Sequence, residues 1–326
     1  MSESATADTA TIDQLKTLHQ QGLYLQAYEV AKQLGPLKEW TGSDAQLIGG
    51  RLAHNLGSER LGRLMHRSAY QTNPNDPEVI YFYALSMMHR RGPLVTWETM
   101  REFGDLENAS SEVQADWIAL RGTVLAMLRD FEVAEQCFEK SMGLHPERPW
   151  LHVSKTFLLE QQDRPEEALE AAQRAIELAP WYRPAVQNLA HRLVQAKRDD
   201  EALTLMREAN RRIESGDVRC QLAALLLELQ EYDEAREIYE DLERFFPLQH
   251  LDRKRSEWLS ARRADAAYYC GDFQSASEHA KLVDNPFYKA LAENIASDSA
   301  DGKRVILPVQ FVRQNHLTCA PATLSA

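Results

Sequence analysis

Residues 130–138 read Asp130-Phe131-Glu132-Val133-Ala134-Glu135-Gln136-Cys137-Phe138, with Pro146 following. The same arrangement returns as Arg164-Pro165-Glu166-Glu167-Ala168, ahead of Pro180, and as Asp199-Asp200-Glu201-Ala202. It recurs as Tyr232-Asp233-Glu234-Ala235 ahead of Pro247 and as Gly271-Asp272-Phe273-Gln274-Ser275-Ala276. Upstream it reads Gly22-Leu23-Tyr24-Leu25-Gln26-Ala27, and two weaker copies place Gly62 and Thr96 at the small-residue position. The steps from Ala27 through Gly62, Thr96, Ala134, Ala168, Ala202, Ala235 to Ala276 are 35, 34, 38, 34, 34, 33 and 41 residues. So regular a period defines one helical unit repeated along the chain.

Each unit reads as two antiparallel helices. A small residue early in the second helix lets the first approach closely. The aromatic three residues before it (Tyr24, Phe131, Tyr232, Phe273) fills the space between them. Proline closes the second helix at Pro74, Pro146, Pro180 and Pro247, because it cannot continue the hydrogen-bond ladder. Apolar residues recur at helical spacing, as in Leu222-Leu225-Leu226. The 38- and 41-residue steps imply longer loops near Asp105–Ser111 and Leu248–Lys254.

The period and its small-residue box resemble the tetratricopeptide repeat. The resemblance covers roughly residues 12–295 and implies an all-α, right-handed helical-repeat solenoid of about eight helix pairs, some degenerate. Residues 1–11 read as a disordered start and 296–303 as a polar linker. Such a solenoid presents a concave face to a protein or peptide ligand. By register the inward candidates are Arg51, His54, Asn55, Tyr81, His89, Gln187, Asn188, His191, Gln195 and Tyr268. These read either as donors and acceptors for a peptide or as solvated surface residues. They do not reproduce the Lys and Asn set with which some tetratricopeptide domains hold a chaperone's terminal carboxylate.

Composition limits the function. The 326 residues are 44% hydrophobic, with 37 Lys+Arg against 49 Asp+Glu and a net charge of -12. By length alone that is about two domains at roughly 150 residues each. The acidic balance speaks against nucleic acid and anionic membranes. No apolar run of spanning length and no basic-apolar leader occur, which makes the cytoplasm the expected location. Four separated cysteines without a CxxC pair predict reduced thiols. Neither metal-ligand spacing among the histidines nor a glycine-rich phosphate loop is present, so no cofactor or metal is expected. Glu166-Glu167 and Asp199-Asp200-Glu201 stand at second-helix starts, where the macrodipole favours acids.

Residues 304–326 differ in texture. Val305, Leu307, Val309 and Phe311 alternate as in a short strand, and Thr318-Cys319-Ala320-Pro321 reads as a helix start. This resembles the opening of a papain-like cysteine peptidase domain of the kind that removes double-glycine leader peptides. The resemblance implies Cys319 as nucleophile and Gln314 as oxyanion-hole amide. Ala320 stands where that family has Gly, and Gln314 lies five residues before the cysteine where six is common. A thiolate also needs a histidine base, and only seven residues follow Cys319. Two expectations follow: a binding scaffold with an incomplete, non-catalytic peptidase-like segment, or the front of a longer active peptidase whose repeats recruit substrate. A pure scaffold or an oligomerisation module are the rival classes; the oligomeric state stays open.

Overall fold

A computed structural model describes residues 9–297. Within them the chain forms seventeen α-helices and three short 3-10 turns. The first sixteen helices make eight antiparallel pairs: α1 Thr9–Gln20 with α2 Tyr24–Lys32, α3 Ser43–Asn55 with α4 Glu59–Thr72, and α5 Pro77–Arg91 with α6 Pro93–Phe103. Next come α7 Ser111–Met127 with α8 Phe131–Leu144, α9 Pro149–Gln161 with α10 Pro165–Leu178, and α11 Arg183–Gln195 with α12 Asp199–Arg212. The last pairs are α13 Gly216–Glu228 with α14 Tyr232–Asp241 and α15 Arg253–Tyr269 with α16 Phe273–Ala280. A single helix, α17 Pro286–Ala296, covers the end of the array. Helix α1 thus begins inside the stretch expected as a disordered start. The strand, the helix start, Gln314 and Cys319 lie outside the described residues.

Local sequence sets the helix boundaries. Asp76 accepts from the backbone N–H groups of Glu78 (2.9 Å) and Val79 (3.2 Å), and Pro77 occupies the first turn of α5, where a missing N–H costs nothing. Proline also opens α9, α10 and α11. The expected first-turn acids stand in α10 and α12. The longest step is filled by 3-10 turns at Leu242–Phe245 and Gln249–Leu251, and the 38-residue step by the loop between α6 and α7.

The small residues do what their spacing requires. Ala27, Thr96, Ala134, Ala168, Ala202, Ala235 and Ala276 are each fully buried. At Gly62 an added Cβ would stand 2.7 Å from the Gly50 carbonyl oxygen, so α4 and α3 touch backbone to backbone. The aromatic before the small residue is less uniform than the pattern implied. Tyr24 is buried, Phe131 and Tyr232 are half-buried, and Phe273 is 41% exposed.

The array closes on itself. One hydrophobic core joins Ile12, Leu15, Tyr24 and Leu52 near the N-terminus to Val186, Ile213, Val218 and Phe246. Turns of the first two pairs make the contact. The Glu214 N–H donates to the Gly22 carbonyl (2.9 Å), and the Leu248 N–H to the Leu56 carbonyl (3.0 Å). Glu214 Oε2 accepts from the N–H groups of Leu25 (3.0 Å) and Gln26 (3.1 Å), capping α2 from 189 residues away. Arg255 lies over the Phe246 ring (4.6 Å) and between Glu59 and Asp217 (3.6 Å each).

Candidate functional site

Closure brings the first helices of distant pairs around a shared polar interior. His19 of α1, Arg51 and His54 of α3, and Arg183 of α11 act on one another electrostatically. Tyr81 of α5, Asp116 of α7, Arg148 ahead of α9 and Tyr182 ahead of α11 form the adjoining part. The inner groups there are strongly desolvated, while His54 stands at the rim. Burial pushes His19 down and Tyr182 up to about 12.

Most of these side chains bond to the equivalent position of the neighbouring first helix. Arg148 Nε and Nη2 grip both oxygens of Asp116 at 2.6 Å. Asn188 Nδ2 donates to Thr156 Oγ1 (2.8 Å), and Gln221 Nε2 to the Gln187 carbonyl (2.9 Å). Arg183 Nη1 reaches Gln187 Oε1 (3.0 Å) and Asp217 Oδ2 (3.3 Å). Glu160 of α9 collects Arg192 Nη2 (2.9 Å) and Gln195 Nε2 (3.0 Å) from α11, with His191 Nε2 at 3.7 Å. Burial raises the Glu160 carboxyl, but those hydrogen bonds win and hold it well below the usual carboxylate range. Apart from Arg183–Gln187 within α11, the residue separations in these bonds are 32 to 35, so the ladder repeats with the unit itself.

The candidate positions therefore divide. Asn55 and Tyr81 are buried, 4% and 5% exposed. Asn55 bonds to His19, and Tyr81 lies beside Trp150. Arg51, Gln187, Asn188, Gln195 and Tyr268 are half-buried. His54, His89 and His191 are exposed and stand towards the C-terminal ends of α3, α5 and α11. The buried partners escape sequence reading because register names the inward face but not how close the facing helices come. The closure contacts of Glu214, Phe246 and Arg255 were missed for the same reason. The only cue was the pair of aromatics, Phe245-Phe246, ahead of Pro247 in the longest step.

Among the described residues the three thiols are structural. Burial raises Cys137, Cys220 and Cys270, the opposite of an activated nucleophile. Among the described residues no His, Cys, Asp and Glu group could hold a metal ion, and no helix is long and apolar enough to cross a membrane.

No family model and no curated protein matches the sequence. Solved structures do. The APC/C hetero-tetramer Cut9–Hcn1 aligns at 10% identity and TM-score 0.53 over 87% of this chain and 55% of that chain. The protein has the tetratricopeptide-type solenoid fold. Pseudomonas aeruginosa PilF aligns at 17% identity and TM-score 0.48 over 68% of this chain and 96% of that one. The chain thus spans about half the length of the Cut9–Hcn1 chain and nearly all of PilF. In this solenoid eight pairs and one closing helix account for almost every described residue.

Proposed function

We propose that the solenoid is a protein-binding scaffold that works in the cytoplasm and takes a peptide or protein segment at the exposed ends of its first helices. One observation carries the reading. The first helices turn polar side chains toward a common interior, and His54, His89 and His191 remain open to solvent there although the ladder beneath them is bonded. The half-buried Arg51, Gln187, Asn188 and Gln195 would flank such a segment, with Asn55 and Tyr81 as the rigid floor. The fold supports this reading because stacked helix pairs offer an extended surface on which a chain segment can lie.

The experiment is proximity cross-linking in cells followed by quantitative mass spectrometry. The H89A/H191A variant is expected to lose partners at least tenfold while keeping the wild-type melting temperature. An unchanged partner set would end the proposal. On this reading Cys319 and Gln314 have no catalytic role in the chain. Peptide hydrolysis by the purified chain that disappears in Cys319→Ala would reverse that statement.

A further inference from the structure

Arg51 differs from the other arginines of the closed interior. Arg148 has Asp116, Arg183 has Asp217, Arg192 has Glu160, and Arg255 has Glu59 and Asp217. Among the described residues no carboxylate lies in ion-pair range of Arg51. Its guanidinium lies over the Phe82 ring (5.2 Å), with Nη2 3.4 Å from His19 Nδ1.

The hydrogen bonds decide what that last contact is. Asn55 Nδ2 donates to the Arg51 carbonyl (2.9 Å), which fixes the amide's orientation. The second proton of Nδ2 then points at His19 Nε2, also 2.9 Å away. Nε2 is therefore the acceptor, and the proton of the neutral imidazole sits on Nδ1. Two donors, His19 Nδ1–H and Arg51 Nη2, thus face each other, and among the described residues neither has a hydrogen-bond acceptor. Burial and then every charged neighbour acting on His19 (Arg51, Arg183 and His54) oppose a positive charge on the ring, so the neutral tautomer is the stable one. Of the acids in this interior, Asp116 is already committed to Arg148, and Asp217 to Arg183 and Arg255.

We propose that the closed ring holds an oxyanion, a carboxylate or phosphate group, between Arg51 and His19 with Arg183 beside them. A single oxygen can accept from both donors, since charge-assisted bonds of about 2.8 Å span their separation. The two donors come from neighbouring pairs, α1 and α3, and closure of the array adds Arg183 of α11; the site does not rest on the protein-binding reading.

The test is thermal unfolding of the full chain in phosphate, acetate or chloride at equal ionic strength. A further arm compares a short peptide ending in a free carboxylate with its amide. Phosphate or acetate is expected to raise the melting temperature over chloride, an effect lost in Arg51→Gln and retained in Arg51→Lys. Binding should weaken roughly tenfold or more in the glutamine variant, the effect of one charge-assisted bond. Stabilisation by the free-acid peptide alone would assign the oxyanion to a polypeptide rather than a free ion. No preference for any oxyanion, or the same preference in Arg51→Gln, would overturn the site. Should Arg51→Gln fail to fold, nitrogen NMR of the wild-type histidines decides: a proton on His19 Nδ1 that shifts on adding phosphate or acetate supports the site. A proton on Nε2, or no shift, defeats it.

Discussion

Each turn between paired helices carries one residue of left-handed backbone: Gly22, Gly57, Gly92, Arg129, Asp163, Lys197, Gln230 and Gly271. Four of the eight are not glycine, so the conformation is imposed by the turn and not by residue choice. Gly57, like Gly22, needs both the conformation (φ 95°) and the absence of a side chain: an added Cβ would stand 2.8 Å from Phe246 Cβ. Gly57→Ala is expected to cost about 1–3 kcal/mol in chemical denaturation, whereas a Gly92→Ala change, with open space around it, should cost less. His66 gives a pH signature. Burial, with Arg51 and His54 assisting against a Leu47 backbone bond, lowers its pKa to about 4. The unfolded chain protonates this histidine near pH 6.5 while the fold refuses the proton. Stability is therefore whole above pH 6.5 and falls as pH drops towards 4, by up to roughly 3 kcal/mol. His19 acts in the same sense. Urea unfolding at pH 7 and pH 4.5 measures the loss, and His66→Gln should flatten it by about one proton's worth of slope. An unaltered slope would exclude His66 as its source.

Helices were legible where their signals are local. Small residues, acids in first turns and prolines after second helices all act within one unit, and they place the eight pairs correctly. The apolar stripe of α13 was equally legible, but its neighbour was not. Helical spacing says that Val218, Leu222 and Leu226 must be covered, not that α1 to α4, some 190 residues earlier, share in covering them. The same limit hides the ladder: Asn188 and Gln195 look like ligand-binding amides until the next unit is close enough to bond them. At this scale Glu214 is the decisive test, because α2 has no side-chain cap of its own. Glu214→Ala removes three hydrogen bonds to Leu25 and Gln26 and is expected to cost about 1–3 kcal/mol. Hydrogen exchange should quicken in α1 and α2 far more than in α8 or α9. Uniform quickening would mean that Glu214 acts on the whole array.

Taken as a whole molecule, the array departs from a stack in which each unit touches only its neighbours. Its first two pairs share a core with the sixth, seventh and eighth. Removing residues 1–41 is therefore expected to expose apolar surface on α11 to α14, raise dye binding and lower the melting temperature. A chain of independent units would lose only the increment of one end unit. The described residues form one array, and the segment 304–326, where a second module is expected, lies outside them. The end of the array is handled differently, by α17, whose Tyr288 hydroxyl donates to Asp265 (3.1 Å) and accepts from Arg262 (3.2 Å).

The closure also sets an order of events during synthesis. Gly22 and Leu25 leave the ribosome 189 residues or more before Glu214, their partner, is made. At about 5–20 residues per second that is a wait of roughly 10–40 s. Throughout it, Ile12, Leu15 and Leu52 lack much of their final cover, and contacts so distant in sequence form slowly once the chain is complete. The nascent N-terminal pairs are the part of this protein most in need of protection before it is finished.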